Sequence, residues 1–161
     1  MLYAMGEGNP EKGWDYVEKF CKNLDGMLLK SSSEVYQGVA EGRYTVGLTF
    51  EEGGAGYVSK GAPVKLIYMK EGVISTPDVV CIVKGSRHKK AAEEYVDFVT
   101  GKAAQTVIAD SLDRRSVRKD VEAEAYLPDK EEIYMLTADE NMVNEKREQW
   151  KQRFTEIFTY C

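Results

Sequence analysis

Residues 31–60 read SSSEVYQGVAEGRYTVGLTFEEGGAGYVSK. Ser31 followed three positions later by Glu34 is the pattern of a capping box, and it opens a helix that Gly42 stops. RYTVGLTF, residues 43–50, is rich in bulky and β-branched residues and reads as a strand. Glu51 and Glu52 then begin another short helix within residues 51–60. Helix, strand, helix in this order argues for an α/β layered domain, and the rest of the chain is read against that expectation.

Upstream, GNPEKGWDYVEKFCKNLDG is a helix with its own punctuation. Asn9 can cap it, Pro10 suits the first turn, and Glu11 favours the positive end of the helix dipole. Trp14, Val17, Phe20, Cys21 and Leu24 recur at helical spacing and form its buried stripe. MLLK (27–30), VKLIYM (64–69) and DVVCIV (78–83) read as further strands. SRHKKAAEEYVDFVTG and KAAQTVIADSL read as nearly continuous helices, with Tyr95, Phe98 and Val99 on one side. DRRSVRKDV is basic and irregular, and LPDKEEIYML is loop-like. From Asp139 the pattern is helical again, with Trp150, Phe154, Ile157 and Phe158 as its apolar stripe.

The composition sets bounds on function. A net charge of −5 makes nucleic acid an unfavourable partner. No apolar run approaches the length of a membrane span. Cys21, Cys81 and Cys161 form no CxxC, so no zinc site is expected. His88, the only histidine, sits in GSRHKK at a helix start and leaves no His-based triad to assemble. HExxH and GxSxG are absent, and no nucleophile is paired with a base. The chain is therefore expected to be non-enzymatic, with no cofactor and no metal site. MLYAMGEG reads as the last turn of a helix running into a glycine stop, as in a fragment whose upstream part lies elsewhere.

Four places carry candidate binding groups. Ser31, Ser32 and Ser33 open a helix whose free amides and dipole can hold an anion; simple N-capping is the alternative. Thr49, Phe50, Glu51 and Glu52 end a strand-like run. Their carboxylates either accept bonds from a ligand or serve as first-turn acids. Gly53, Gly54 and Gly56 make no nucleotide-binding motif and read as sites of tight turning or close approach. Glu71 sits in the KEGV turn. Arg114, Arg115 and Arg118 either clamp a phosphate or carboxylate or pair with the chain's own acids.

The order of KGWDYVEKFCKNL, SSSEVYQGVAEGRYTVGLTFEEGGAGYVSKGAPVKLIYMKEG, TPDVVCIVKGSRHKKAAEEYVDFVTGKAAQTVIADSLDRRSVRKDV and NEKREQWKQRFTEIF resembles the extracellular solute-binding proteins of ABC importers. The resemblance is to the branch that binds ferric iron, phosphonates or sugar phosphates, and it covers most of the chain from residue 10 onward. It implies a type II periplasmic-binding-protein fold: an α/β, three-layer lobe with a mixed sheet flanked by helices, its first lobe largely missing. Residues 1–72 and 113–161 would form the second lobe. Residues 73–112 would supply a crossing strand and helices that pack on the first.

The resemblance places Ser31, Ser32, Ser33, Thr49, Phe50, Glu51, Glu52 and Glu71 at the ligand. Ferric-iron binders of the branch carry a Tyr-Tyr pair after the strand where this chain has TFEEGGAG, a departure that favours a phosphonate or sugar phosphate over iron. The partners implied are that solute and an ABC permease. The location implied is extracellular or periplasmic, with a lipoprotein anchor in the full-length protein. The exposed faces of 78–112 suggest a homodimer. An effector-binding domain of a transcriptional regulator with the same fold is the alternative.

Overall fold

The computed structural model describes residues 1–161. Seven α-helices follow one another: α1 (Leu2–Met5), α2 (Trp14–Leu24), α3 (Ser32–Ala40), α4 (Glu51–Ser59), α5 (Lys89–Thr100), α6 (Lys102–Leu112) and α7 (Glu140–Tyr160). Short 3₁₀ turns span Pro10–Gly13 and Lys130–Glu132. The chain divides into two compact units. One comprises Met1–Lys30, Tyr68–Ser75 and Ile133–Cys161; the other comprises Ser31–Ile67 and Thr76–Glu132.

In the first unit the cap at Asn9 acts where it was read, while Phe20 and Leu24 of the expected stripe are only partly buried. The Asn9 side chain accepts from the Glu11 amide at 3.0 Å, and Pro10 opens a 3₁₀ turn that leads into α2. Asp25, in the left-handed region at φ 48°, closes α2, and its amide bonds back to Lys22. Trp14, Val17 and Cys21 are buried on the inner face of α2, and Trp150, Phe154, Ile157 and Phe158 of α7 pack against them. The Arg153 guanidinium lies 4.4 Å from the centre of the Trp14 ring and donates to Glu11 at 3.2 Å. The Asp139 carboxylate accepts from the amides of Asn141 and Met142, fixing the start of α7.

The second unit holds α3 packed on α4 and α5 followed by α6. The break between α5 and α6 falls at Gly101, whose ψ of 155° leaves the helical region. Gln105, 7% exposed, sits at the start of α6 and organises the segment that follows it. Its side-chain oxygen accepts from the Ser116 hydroxyl at 3.0 Å and the Val117 amide at 3.1 Å. Its side-chain nitrogen donates to the Val99 carbonyl at 2.8 Å. At the other end of α6, Asp113 accepts from the hydroxyls of Ser59 and Tyr126. Burial, followed by the Asp113 carboxylate, pushes the Tyr126 phenol up to about 12.

The expected α/β lobe with a mixed sheet flanked by helices is not what the chain forms. The four runs read as strands, 27–30, 43–50, 64–69 and 78–83, form no β-ladder and no sheet. One isolated parallel bridge joins Val73 to Met135: the Val73 amide donates to Tyr134 at 2.9 Å, and the Leu136 amide donates to Val73 at 2.8 Å. Gly72, at φ 107°, lets the backbone approach here, because a Cβ would stand 2.6 Å from Leu136.

The physical reason lies in what β-propensity measures. It reports fit to a pleated, half-buried surface beside a neighbouring strand, and it supplies neither the neighbour nor the cover. Here both are absent. Val46, Ile67 and Val83 are each 76% exposed and Val79 is 86% exposed. The residues that would have faced a core face solvent instead.

Candidate functional site

The two helix starts singled out in the sequence lie in the same unit and are linked through one side chain. Tyr36, one turn inside α3, meets Phe50 edge-on with ring centres 6.2 Å apart, and meets Tyr57 of α4 at 5.7 Å. It also lies against Gly53, where a Cβ would overlap its ring. The glycines of EEGGAG thus act by close approach: Gly53 accepts the Tyr36 ring, and Gly54 accepts Leu66.

Around this contact the candidates take distinct positions. Ser31 is the N-cap of α3, and its hydroxyl accepts from the Glu34 amide at 3.3 Å. Ser32 and Ser33 occupy the first turn of α3 and are exposed. Their amides are among those that a helix start leaves without an intrahelical acceptor. Phe50 is the N-cap of α4 and, unlike Ser31 on α3, offers no side-chain cap to the first amides. Thr49 is exposed, as is half of the Phe50 side chain.

Both glutamates are committed to arginines. Arg115 Nε donates to Glu51 Oε1 at 2.8 Å, and its terminal nitrogen donates to the Pro128 carbonyl at 2.8 Å. Arg114 bridges two acids, pairing with Glu52 at 2.6 Å and with Asp78 at 2.7 Å. These acids, foremost Glu52, hold the Arg114 guanidinium more firmly protonated than usual. Its Nε–H is buried and faces no acceptor. The two pairs differ in character. Arg115–Glu51 is largely shielded, with side chains 14% and 25% exposed, whereas Asp78 is 88% exposed and weakly held.

Of the two readings of the arginine cluster, pairing with the chain's own acids describes Arg114 and Arg115. It also describes Arg118, which pairs with Asp120 at 2.8 Å. Sequence reasoning did not find Tyr36 as the link between the helix starts. The available signal was an aromatic residue one turn after a serine cap, facing a glycine-rich helix.

Glu71 belongs to the other unit, where it is an exposed turn residue. Two clefts lie elsewhere. One is lined by Asn9, Glu11, Asp139, Glu145 and Trp150, and the other by Thr106, Asp110 and residues 120–125. Neither involves a candidate. No group of three or more His, Cys, Asp and Glu is placed to hold a metal ion.

The arrangement thus offers two helix N-termini joined by aromatic packing, with hydroxyls on one and charge-balanced carboxylates on the other. A family model described as bacterial extracellular solute-binding protein matches residues 1–145. No curated protein and no solved structure matches the chain.

Proposed function

Since the chain belongs to the bacterial extracellular solute-binding proteins, we propose that it captures a small organic anion, such as a phosphonate or sugar phosphate, for import through an ABC permease. The family binds solutes for transport and is generally not enzymatic. The observation that carries the anion reading is the pair of helix starts linked by Tyr36. Ser32 and Ser33 add hydroxyl donors to the amides of α3, and the first amides of α4 lack a side-chain cap. Each helix start carries the positive end of its dipole, the standard way a fold holds phosphate without a metal. Arg114 and Arg115 offset the charge that Glu51 and Glu52 would otherwise turn against such a ligand. Thr49 and Phe50 edge the same place, and Ser31 sets the first turn of α3.

A thermal-shift panel tests this with inorganic phosphate, methylphosphonate, glucose 6-phosphate, citrate and ferric citrate. A phosphate-bearing probe at 100 times its Kd is expected to stabilise the chain by about 2.7 kcal/mol, visible as a rise in Tm of several degrees. Combining Ser32→Ala with Ser33→Ala should weaken that probe about tenfold while leaving the unliganded Tm unchanged, because the cap itself is Ser31. Stabilisation by ferric citrate alone would sink the anion reading.

The same reading includes a homodimer through α5. Tyr95 is 60% exposed and Phe98 is 67% exposed, one helical turn apart, and neighbouring aromatics of this size favour cover by a partner surface. Light scattering at high protein concentration should give twice the monomer mass. Phe98→Glu should return it to the monomer, and a monomeric mass for the unaltered chain would refute the dimer.

A further inference from the structure

The first unit brings two of the three cysteines to one place. Cys21 is 1% exposed on the inner face of α2, in the cluster against which Phe154, Ile157 and Phe158 of α7 pack. The next position on that face of α7 is Cys161, whose amide bonds to the Ile157 carbonyl at 3.0 Å. The Cys161 Sγ lies 3.9 Å from the Glu18 carbonyl. Residue 18 is one turn before Cys21 on α2, and in a helix the carbonyl of a residue points along the axis toward the side chains three and four positions later. The sulfur therefore sits over the turn that carries Cys21. Cys81 belongs to the other unit and is exposed.

We propose that Cys21 and Cys161 form a disulfide that staples α2 to the end of α7. Members of the family are extracellular, where thiols brought together oxidise and remain so. Burial, and after it the Cys161 thiol, raises the pKa of the Cys21 thiol, in keeping with the placement of Cys161 Sγ over the turn of Glu18.

The chemistry needs an acceptor disulfide, for which oxidised glutathione serves. The exposed Cys161 thiolate attacks it, forming a mixed disulfide and releasing one glutathione thiolate. The Cys21 thiolate then attacks the Cys161 sulfur, closing the protein disulfide and expelling the second glutathione. Two protein thiols are oxidised, one glutathione disulfide is reduced to two thiols, and the two protein protons pass to solvent or to the released thiolates. Burial of Cys21 makes the second step the slower one, because the thiolate is the attacking species. Once formed, the bond closes a loop of more than a hundred residues, the case in which restriction of the unfolded chain is greatest.

The test is oxidation of the full chain with oxidised glutathione, followed by thiol counting in denaturant, intact mass and peptide mapping. The expected result is one remaining thiol, at Cys81, and a mass lower by about 2 Da. A peptide containing Cys21 should be joined to one containing Cys161. The oxidised chain should melt higher than the reduced one by about 5 °C or more, and dithiothreitol should reverse the shift. Cys161→Ser, at an exposed position, should fold as judged by circular dichroism yet show neither the linkage nor the shift. Three results would overturn the proposal: a stable glutathione adduct on Cys161 with Cys21 still reduced, a covalent dimer through Cys81 as the only product, or three thiols unchanged.

Discussion

Replacing Trp14 by alanine is expected to destabilise the first unit by about 4 kcal/mol, the middle of the range for removing a buried aromatic side chain. Trp14 is 2% exposed, and it is the only aromatic among the buried hydrophobic residues, the others being Val17, Cys21, Ala55, Ala109, Leu127 and Ile133. With so few fully buried side chains, the loss of the largest one removes a major share of the apolar surface taken from water. The cavity would open in the cluster against which Trp150, Phe154, Ile157 and Phe158 pack, and these belong to one helix and cannot collapse independently into the gap. The substitution also removes the ring on which the Arg153 guanidinium rests at 4.4 Å, leaving Arg153 only its exposed pairing with Glu11.

Trp14→Phe separates these effects. The indole N–H of Trp14 is buried with no acceptor, so its removal leaves no hydrogen bond broken. Phenylalanine keeps a ring beneath Arg153 and most of the volume. Its cost should be about 1 kcal/mol. Urea denaturation followed by circular dichroism reads both values. Near-equal losses for the two variants would mean that the α2–α7 contact contributes little to stability.

The comparison of sequence with structure turns on how far apart cause and effect lie along the chain. Asn9 with Pro10, Ser31 with Glu34, and Asp139 before α7 are local devices, and each acts where the spacing put it. The stripe Trp14–Val17–Cys21 is local too, since one helix fixes which residues share a face. The runs at 43–50, 64–69 and 78–83 failed as strands because a strand is completed by residues distant in sequence. Val46, Ile67 and Val79 carry the right side chains but remain largely exposed, with no partner strand beside them.

The candidate site divides in the same way. Ser31 as a cap and Glu51–Glu52 as first-turn acids were readable from adjacent residues. The Arg115–Glu51 bond spans 64 positions, and pattern reasoning could leave it only as one of two open readings. The seat of Tyr36 on Gly53 depends on α3 packing against α4, which no local periodicity specifies.

Gln105 illustrates such a distant constraint in energetic terms. Gln105→Leu keeps nearly the same volume but strips the bonding partner from three groups at once: the Ser116 hydroxyl, the Val117 amide and the Val99 carbonyl. A buried group left unsatisfied costs about 1–3 kcal/mol, and partial rescue by the Ser116 hydroxyl turning elsewhere holds the expected total to about 3 kcal/mol. The loss should appear first as opening of the 113–118 segment, because Ser116, 8% exposed, also accepts from the Arg118 amide at 3.0 Å and anchors it. Hydrogen exchange at Val117 and Arg118 is the direct measure, and unchanged protection there would contradict the role assigned to Gln105.

Gln105→Glu sharpens the test, because the shape is preserved and only one donor is lost. The ionised carboxylate can still accept from Ser116 and Val117, but it faces the Val99 carbonyl with no proton to give, and it carries a buried charge. Both effects favour the protonated acid in the folded chain, raising its pKa above the unfolded value of about 4.3. With the folded pKa raised, the protonated side chain restores the bond to Val99 below the unfolded pKa, and that stability is lost as pH rises through the folded pKa. Relative to the unaltered chain, the Gln105→Glu variant should therefore be nearly as stable at acidic pH and progressively weaker toward neutrality. The Gln105→Leu deficit, having no proton to exchange, should stay constant across the same range. Parallel urea titrations of the three chains between acidic and neutral pH would show a converging pair and a fixed offset. Two fixed offsets would mean that the introduced carboxylate has turned out to solvent and that the Val99 bond contributes little.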